Sequence, residues 1–172
     1  KGSAVRPRAG QFYRIKNTWK GITEIKVILP MKPKLEKRPK DLYALKRGPL
    51  VYALPIKERW ERTNEDIPGR ESPHCDYEVY PESDWNYGLA LDAAETVSGL
   101  RFEEKPLGDC PFSPEGAPVT AYVSAGKVAW TMQDGVCARE PDNTKALGEI
   151  KEIRLIPYGC TNLRVTEMPR LT

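Results

Sequence analysis

Sixteen prolines and 13 glycines are spread along 172 residues, so a helix breaker interrupts nearly every stretch long enough for a helix. Proline lacks the amide proton and clashes with the preceding turn, and glycine loses the most backbone entropy on ordering. Between the breakers lie short runs in which apolar side chains alternate with polar ones, the period of a half-buried strand. The chain is therefore expected to be all-β. Eight to ten short strands separated by turn chemistry argue a β-sandwich, jelly-roll-like, rather than a helical bundle or a parallel α/β fold.

Several runs place this expectation on residues. Residues 11–15 and 24–31 read as a strand pair, with Ile25, Val27 and Leu29 on one face and Asn17 to Gly21 as the turn. Residues 32–41 are basic and proline-punctuated and read as a linker. Leu42 to Leu54 gives two segments bent at Gly48-Pro49, where neither residue suits the middle of a ladder. Residues 57–73 read as an exposed charged loop, and strands resume at 76–80 and 85–91. A proline-rich excursion covers 106–118, followed by strands at 119–125 and 127–131 around a turn at Ala125-Gly126. The last pair is 149–156 and 162–166, with Tyr158-Gly159 between them.

Composition removes several function classes. No apolar run approaches the ~20 residues of a membrane span, so no membrane partner is expected. A net charge of +3 is too small to imply nucleic acid. The first residues, Lys1-Gly2-Ser3-Ala4-Val5-Arg6, show no apolar signal-peptide core. Cys75, Cys110, Cys137 and Cys160 are isolated from one another, whereas a zinc ribbon or redox pair needs two sulfurs presented by one turn. Free thiols are the preferred reading over two disulfides, whose three connectivities the sequence leaves open. The single histidine, His74, precedes Cys75, and neighbours on an extended segment face opposite ways, which argues against a Cys-His nucleophile.

Candidate binding chemistry is concentrated between residues 76 and 91. Tyr77, Tyr80, Trp85 and Tyr87 lie among Glu78, Glu82 and Asp84, and rings beside carboxylates are the chemistry of a sugar platform. Tyr80, Trp85 and Tyr87 are the candidates for stacking on a glycan. Alternation also sends half of these rings inward, and the core is the preferred place for Trp85. Pairs such as Glu103-Glu104 or Glu82 with Asp84 lack the cleft that glycosidase acids require.

Four stretches, in order, carry a family resemblance. They are Phe12-Tyr13-Arg14-Ile15 with Trp19, then Arg47-Gly48-Pro49-Leu50-Val51-Tyr52, then residues 76–89, then Leu155-Ile156-Pro157-Tyr158-Gly159 running on to Arg164. Together they resemble the C-terminal β-sandwich region of glycoside hydrolase family 127 and its β-L-arabinofuranosidase-like relatives of the DUF1680 type. Two departures are visible: Lys20-Gly21-Ile22 stands where that group usually has Gly-Asp, and Tyr52-Ala53-Leu54-Pro55 replaces a more usual Tyr-Cys-Leu-Glu.

The resemblance implies a bacterial parent enzyme, periplasmic or extracellular, whose (α/α)6 barrel holds the active site. Residues 1–31 would be the last strands of a middle sandwich, 32–41 a linker, and 42–172 the C-terminal sandwich domain. The chain itself would carry no catalytic residue, no metal and no cofactor. Zinc, held in that family by a glutamate and three cysteines of which two are adjacent, would belong to the catalytic domain, and no adjacent cysteines occur here. Arg47, Gly48, Pro49, Tyr52, Tyr158 and Gly159 would then be structural, with Tyr52, Trp85 and Tyr158 filling the core. The implied partner is the protein's own barrel domain, and a glycan is the second candidate partner.

Overall fold

A computed structural model describes residues 4–172. The chain divides into two units at the Pro30–Met31 boundary. The larger, Met31–Thr172, consists of antiparallel strands joined by loops and two short 3-10 turns. Its strands are β1 (Pro33–Arg38), β2 (Leu42–Arg47), β3 (Leu50–Pro55), β4 (Glu58–Thr63), β5 (Asp76–Pro81), β6 (Tyr87–Leu89) and β7 (Arg101–Glu104). They continue with β8 (Val119–Lys127), β9 (Met132–Gln133), β10 (Val136–Cys137), β11 (Lys151–Pro157), β12 (Arg164–Val165) and β13 (Met168–Pro169). The expected all-β, sandwich-like class is what forms.

The main sheet runs β1-β2-β3-β11-β8-β6, with β12 added to β3, β13 to β2 and β7 to β8. A bridge between Leu89 and Arg170, and the hydrogen bond from Leu171 N–H to the Leu89 carbonyl, tie the chain end at β13 back to β6. The sheet wraps around a main core, and Ala117, Ile156 and Cys160 form a smaller second cluster. Tyr43, Leu45, Tyr52, Leu54, Leu89, Val123, Leu155 and Met168 form the centre of the main core. The period of two explains the selection, since Tyr52 and Leu54 on β3, and Ile153 and Leu155 on β11, share a face. Burying a large side chain of this kind contributes about 1.5–3 kcal/mol.

The β2–β3 hairpin turns on two residues, because Arg47 pairs with Leu50. Gly48 sits at φ +57°, the left-handed region that a two-residue turn with glycine first requires. A Cβ there would also lie 2.7 Å from the Met31 Cγ. Proline at the next position loses nothing, since its missing N–H is not needed by the ladder.

Four expectations differ from the structure. Residues 4–30 contain no strand, so the remnant strands expected at 11–15 and 24–31 are absent. Alternation makes a segment able to be a strand, but a strand exists only when a partner takes its backbone hydrogen bonds. The expected linker at 32–41 is mostly β1, registered along its whole length against β2 from Pro33–Arg47 to Arg38–Leu42. Its lysines and prolines suit an edge strand, where charge and missing donors face water. The charged stretch after residue 57 opens as β4, which pairs with β5 in a separate two-stranded ribbon. The turn expected at Ala125-Gly126 does not form: β8 runs straight through, Ala125 facing Leu89 and Gly126 facing Gly88.

Candidate functional surfaces

The three aromatics proposed as a sugar platform go to different environments. Tyr87 is buried in the main core, only 4% exposed. Trp85 is half-buried and packs edge-to-face on Trp130 with ring centroids 5.6 Å apart. The Trp130 indole N–H donates to the Ala138 carbonyl at 2.8 Å, so that pair is a packed corner. Tyr80 lies exposed on β5, with the Arg59 guanidinium 4.7 Å from its ring centroid. A ring with both faces covered cannot stack on a sugar, so Tyr87 is removed from any platform.

The Arg47 corner is a packed electrostatic joint. The Arg47 side chain lies 4.8 Å from the Phe102 centroid and pairs with Glu104 at 2.6 Å. The Glu104 carboxylate holds the guanidinium in its charged form against the cost of partial burial. Below it, Tyr52 is fully buried and meets Phe102 edge-to-face at 5.6 Å. Its hydroxyl has no hydrogen-bond partner among the described residues. Gly48 and Pro49 form the hairpin turn between Arg47 on β2 and Tyr52 on β3. Tyr158 does not join them, because it is exposed on a 3-10 turn, with Arg164 stacked 3.6 Å from its ring centroid. The tyrosine begins the 3-10 turn directly after β11, where the chain has left the ladder that turns side chains inward.

Pro49, Leu50 and Val51 from the hairpin converge with Phe112 and with Pro157 to Cys160 on an open groove of about 460 Å³. Its walls are almost entirely apolar, and Phe112 is largely exposed. Two of the stretches that carry the family resemblance, far apart in sequence, thus line one groove. Sequence alone did not bring Phe112 to it, since that residue sits in a proline-rich loop without periodicity.

A second surface missed in the sequence is the β4–β5 ribbon. Trp60 and Tyr77 stand on one face, edge-to-face at 5.5 Å and both exposed. Alternating charges from Glu58 to Arg62 hid this strand within what read as a loop. Glu58 anchors the ribbon to the main unit: its carboxylate accepts from the Leu163 N–H at 2.6 Å and from the Trp60 indole at 3.0 Å. Burial pushes this carboxyl up, but those donors outweigh it and leave Glu58 below the usual carboxylate range.

No cluster of three or more histidine, cysteine or acidic side chains able to hold a metal ion occurs among the described residues. All four cysteines are free thiols, Cys75 and Cys160 buried, Cys110 and Cys137 exposed. Burial raises the Cys160 thiol, which makes it a poor nucleophile. No helix among the described residues is long and apolar enough to cross a membrane. The fold and these surfaces define an antiparallel β-sandwich-like domain with an apolar groove at one corner. No protein-family model, no curated protein and no solved structure matches the chain.

Proposed function

We propose that this chain is a non-catalytic β-sandwich module of a bacterial glycoside hydrolase resembling the β-L-arabinofuranosidase group, where it packs against and steadies an (α/α)6 catalytic barrel. The observation that carries the reading is the state of residues 12–29. Phe12, Ile22, Val27, Ile28 and Leu29 are each at least three-quarters exposed, and Tyr13, Trp19 and Ile25 about half. Isolated exposed apolar residues are ordinary, but this density on one segment marks a surface made to be covered. Both phases of the alternation are apolar around Val27–Leu29, the pattern of a strand buried on two faces.

Such a segment is completed by strands of a neighbouring domain, which is the place the family resemblance gives it. The groove beside Tyr158 then supplies a second apolar contact for the parent enzyme. The catalytic acids, the zinc ligands and the glycan specificity belong to the barrel in this reading.

Immunoblotting extracts of the producing cells with antibodies raised against the purified chain tests it. The expected band lies far above 19.4 kDa, and immunodepletion removes aryl β-L-arabinofuranoside hydrolysis from the extract. The purified chain alone turns over no such substrate. A native polypeptide of the size of this chain, or aryl-glycoside turnover by the purified chain that a point substitution in it abolishes, overturns the reading.

A further inference from the structure

The β4–β5 ribbon leaves one backbone edge of β4 open. Among the described residues β4 pairs with β5 and with no other strand. Just before it, the Lys57 N–H donates to the Ser83 Oγ at 2.9 Å and the Lys57 carbonyl accepts from the Glu82 N–H at 2.8 Å, both partners lying where the chain leaves β5. The Ile56 N–H points the other way, to the Leu163 carbonyl at 3.1 Å. Continued along β4, this alternation turns the backbone groups of Arg59 and Glu61 toward β5 and those of Glu58, Trp60 and Arg62 outward. Proline at 81, opposite Glu58, agrees, since it has no N–H to offer at a position that needs none. A row of unpaired N–H and C=O groups is a template for another strand.

The side chains on this edge are complementary to their own reversed order. Glu58-Arg59-Trp60-Glu61-Arg62, laid antiparallel on a second copy about Trp60, sets Glu58 opposite Arg62, Arg59 opposite Glu61 and Trp60 opposite Trp60. Every charge then meets its opposite, on both faces of the ribbon, and such cross-strand pairs are stabilising. Trp60 is also one of the outward residues, so the same register closes the backbone hydrogen bonds at the axis. Other edges lack this property. β1 laid on itself about its centre sets Lys34 against Lys37, and β5 has no lysine or arginine to answer Asp76 and Glu78. Within one chain Glu61 faces Glu78 across the ribbon, with Arg59 as a shared neighbour. A second arginine on the open flank of Glu61 balances those two carboxylates.

We propose that β4 is a self-association edge, at which two copies of this chain join β4 to β4 in antiparallel register about Trp60 and form one four-stranded sheet, β5-β4-β4-β5. The contact is closed and two-fold, because each copy presents the same residues to the other. A two-stranded ribbon is marginal alone, and added strands stabilise it. Residues 58–62 are few beside the roughly 20–30 residues that each side of a standard interface brings, so the dimer is weak and reversible. The proposal is independent of the module reading above, which rests on residues 12–29 and on the groove beside Tyr158.

Sedimentation velocity of the whole chain from about 10 μM to about 1 mM tests it, with amide exchange measured by NMR at both ends of that range. Monomer is expected at the low end and dimer at the high end. The Trp60 and Arg62 amides should exchange more slowly in the concentrated sample, while those of β11 are unchanged. Glu61→Arg sets an arginine against Arg59 of the second copy, and Arg59→Glu sets a glutamate against Glu61. Each variant alone is expected to weaken the dimer about tenfold or more. An equimolar mixture of the two variants restores opposite charges at both positions and should re-form the dimer, which a misfolded variant would not do. A chain that stays monomeric to about 1 mM, a dimer that neither substitution weakens, or a mixture that fails to re-form it would each overturn the proposal.

Discussion

Replacing Tyr52 by phenylalanine should stabilise the protein. The Tyr52 ring is fully buried and meets Phe102 edge-to-face, while its hydroxyl has no partner among the described residues. Burial raises the hydroxyl above the usual tyrosine range, and the nearby Arg47 guanidinium opposes that rise, while no described group meets the oxygen with hydrogen-bond geometry. The hydroxyl is thus neutral and desolvated. An unsatisfied buried polar group costs about 1–3 kcal/mol, and deleting one oxygen leaves a void that returns part of this. The net expectation for Tyr52→Phe is a gain of about 1 kcal/mol, or roughly 2–4 °C in Tm for a domain of this size. Urea unfolding followed by tryptophan fluorescence measures it, with an unchanged m-value showing that the folded state is the same. Tyr52→Leu, which discards the edge-to-face contact as well, should instead lose stability by about 1–3 kcal/mol. A loss of about 1 kcal/mol or more on Tyr52→Phe would refute the reasoning, because the hydroxyl would then have a partner such as a bridging water.

Three other expectations concern single sites or segments. Tyr87→Ala should cost about 3–5 kcal/mol and Trp85→Ala less, about 1–3 kcal/mol, since the first empties the core and the second a half-buried corner; equal thermal shifts for the two would contradict this. Gly48→Ala should cost about 1–3 kcal/mol by chemical denaturation, from left-handed strain together with the collision with Met31. Amide exchange should be fast in residues 24–29, which lack strand partners, and slow in β11, which is paired on both sides; equal protection would mean that 24–29 is paired after all.

Glu58 carries a pH prediction with a definite sign. Its folded-state carboxyl lies below the unfolded value, so its contribution is present above the unfolded carboxylate range and is lost as pH falls through the folded value. Acid unfolding of Glu58→Gln should therefore show a shallower dependence on pH across that window than the parent chain. Identical acid profiles would remove Glu58 from the anchor of the β4–β5 ribbon.

The alternation of Leu42 to Leu54, of 76–80 and of 149–156 was enough to place β2, β3, β5 and β11 to within a few residues, because a period of two with flanking turn residues is a local property. The Gly48-Pro49 break was legible for the same reason. Strand pairing was not local. Residues 24–31 alternate as well as β11 does, yet only β11 has neighbours to take its hydrogen bonds. Lys34 to Arg38 look like a solvated linker until β2 is laid beside them. Tyr87 and Trp85, two positions apart, part company because one enters the main core and the other meets Trp130 from a different loop.

The candidate sites follow the same division. The family resemblance assigned Arg47 and Tyr52 structural roles, and in the structure both side chains lie against Phe102. The groove that joins Val51 to Phe112 and Tyr158 assembles residues separated by dozens of positions. The sequence determined the all-β class and the places where the chain turns, since both depend on neighbouring residues. Which strand found a partner, and which charges came to face one another, was decided by long-range closure of the sheet, which no local pattern encodes.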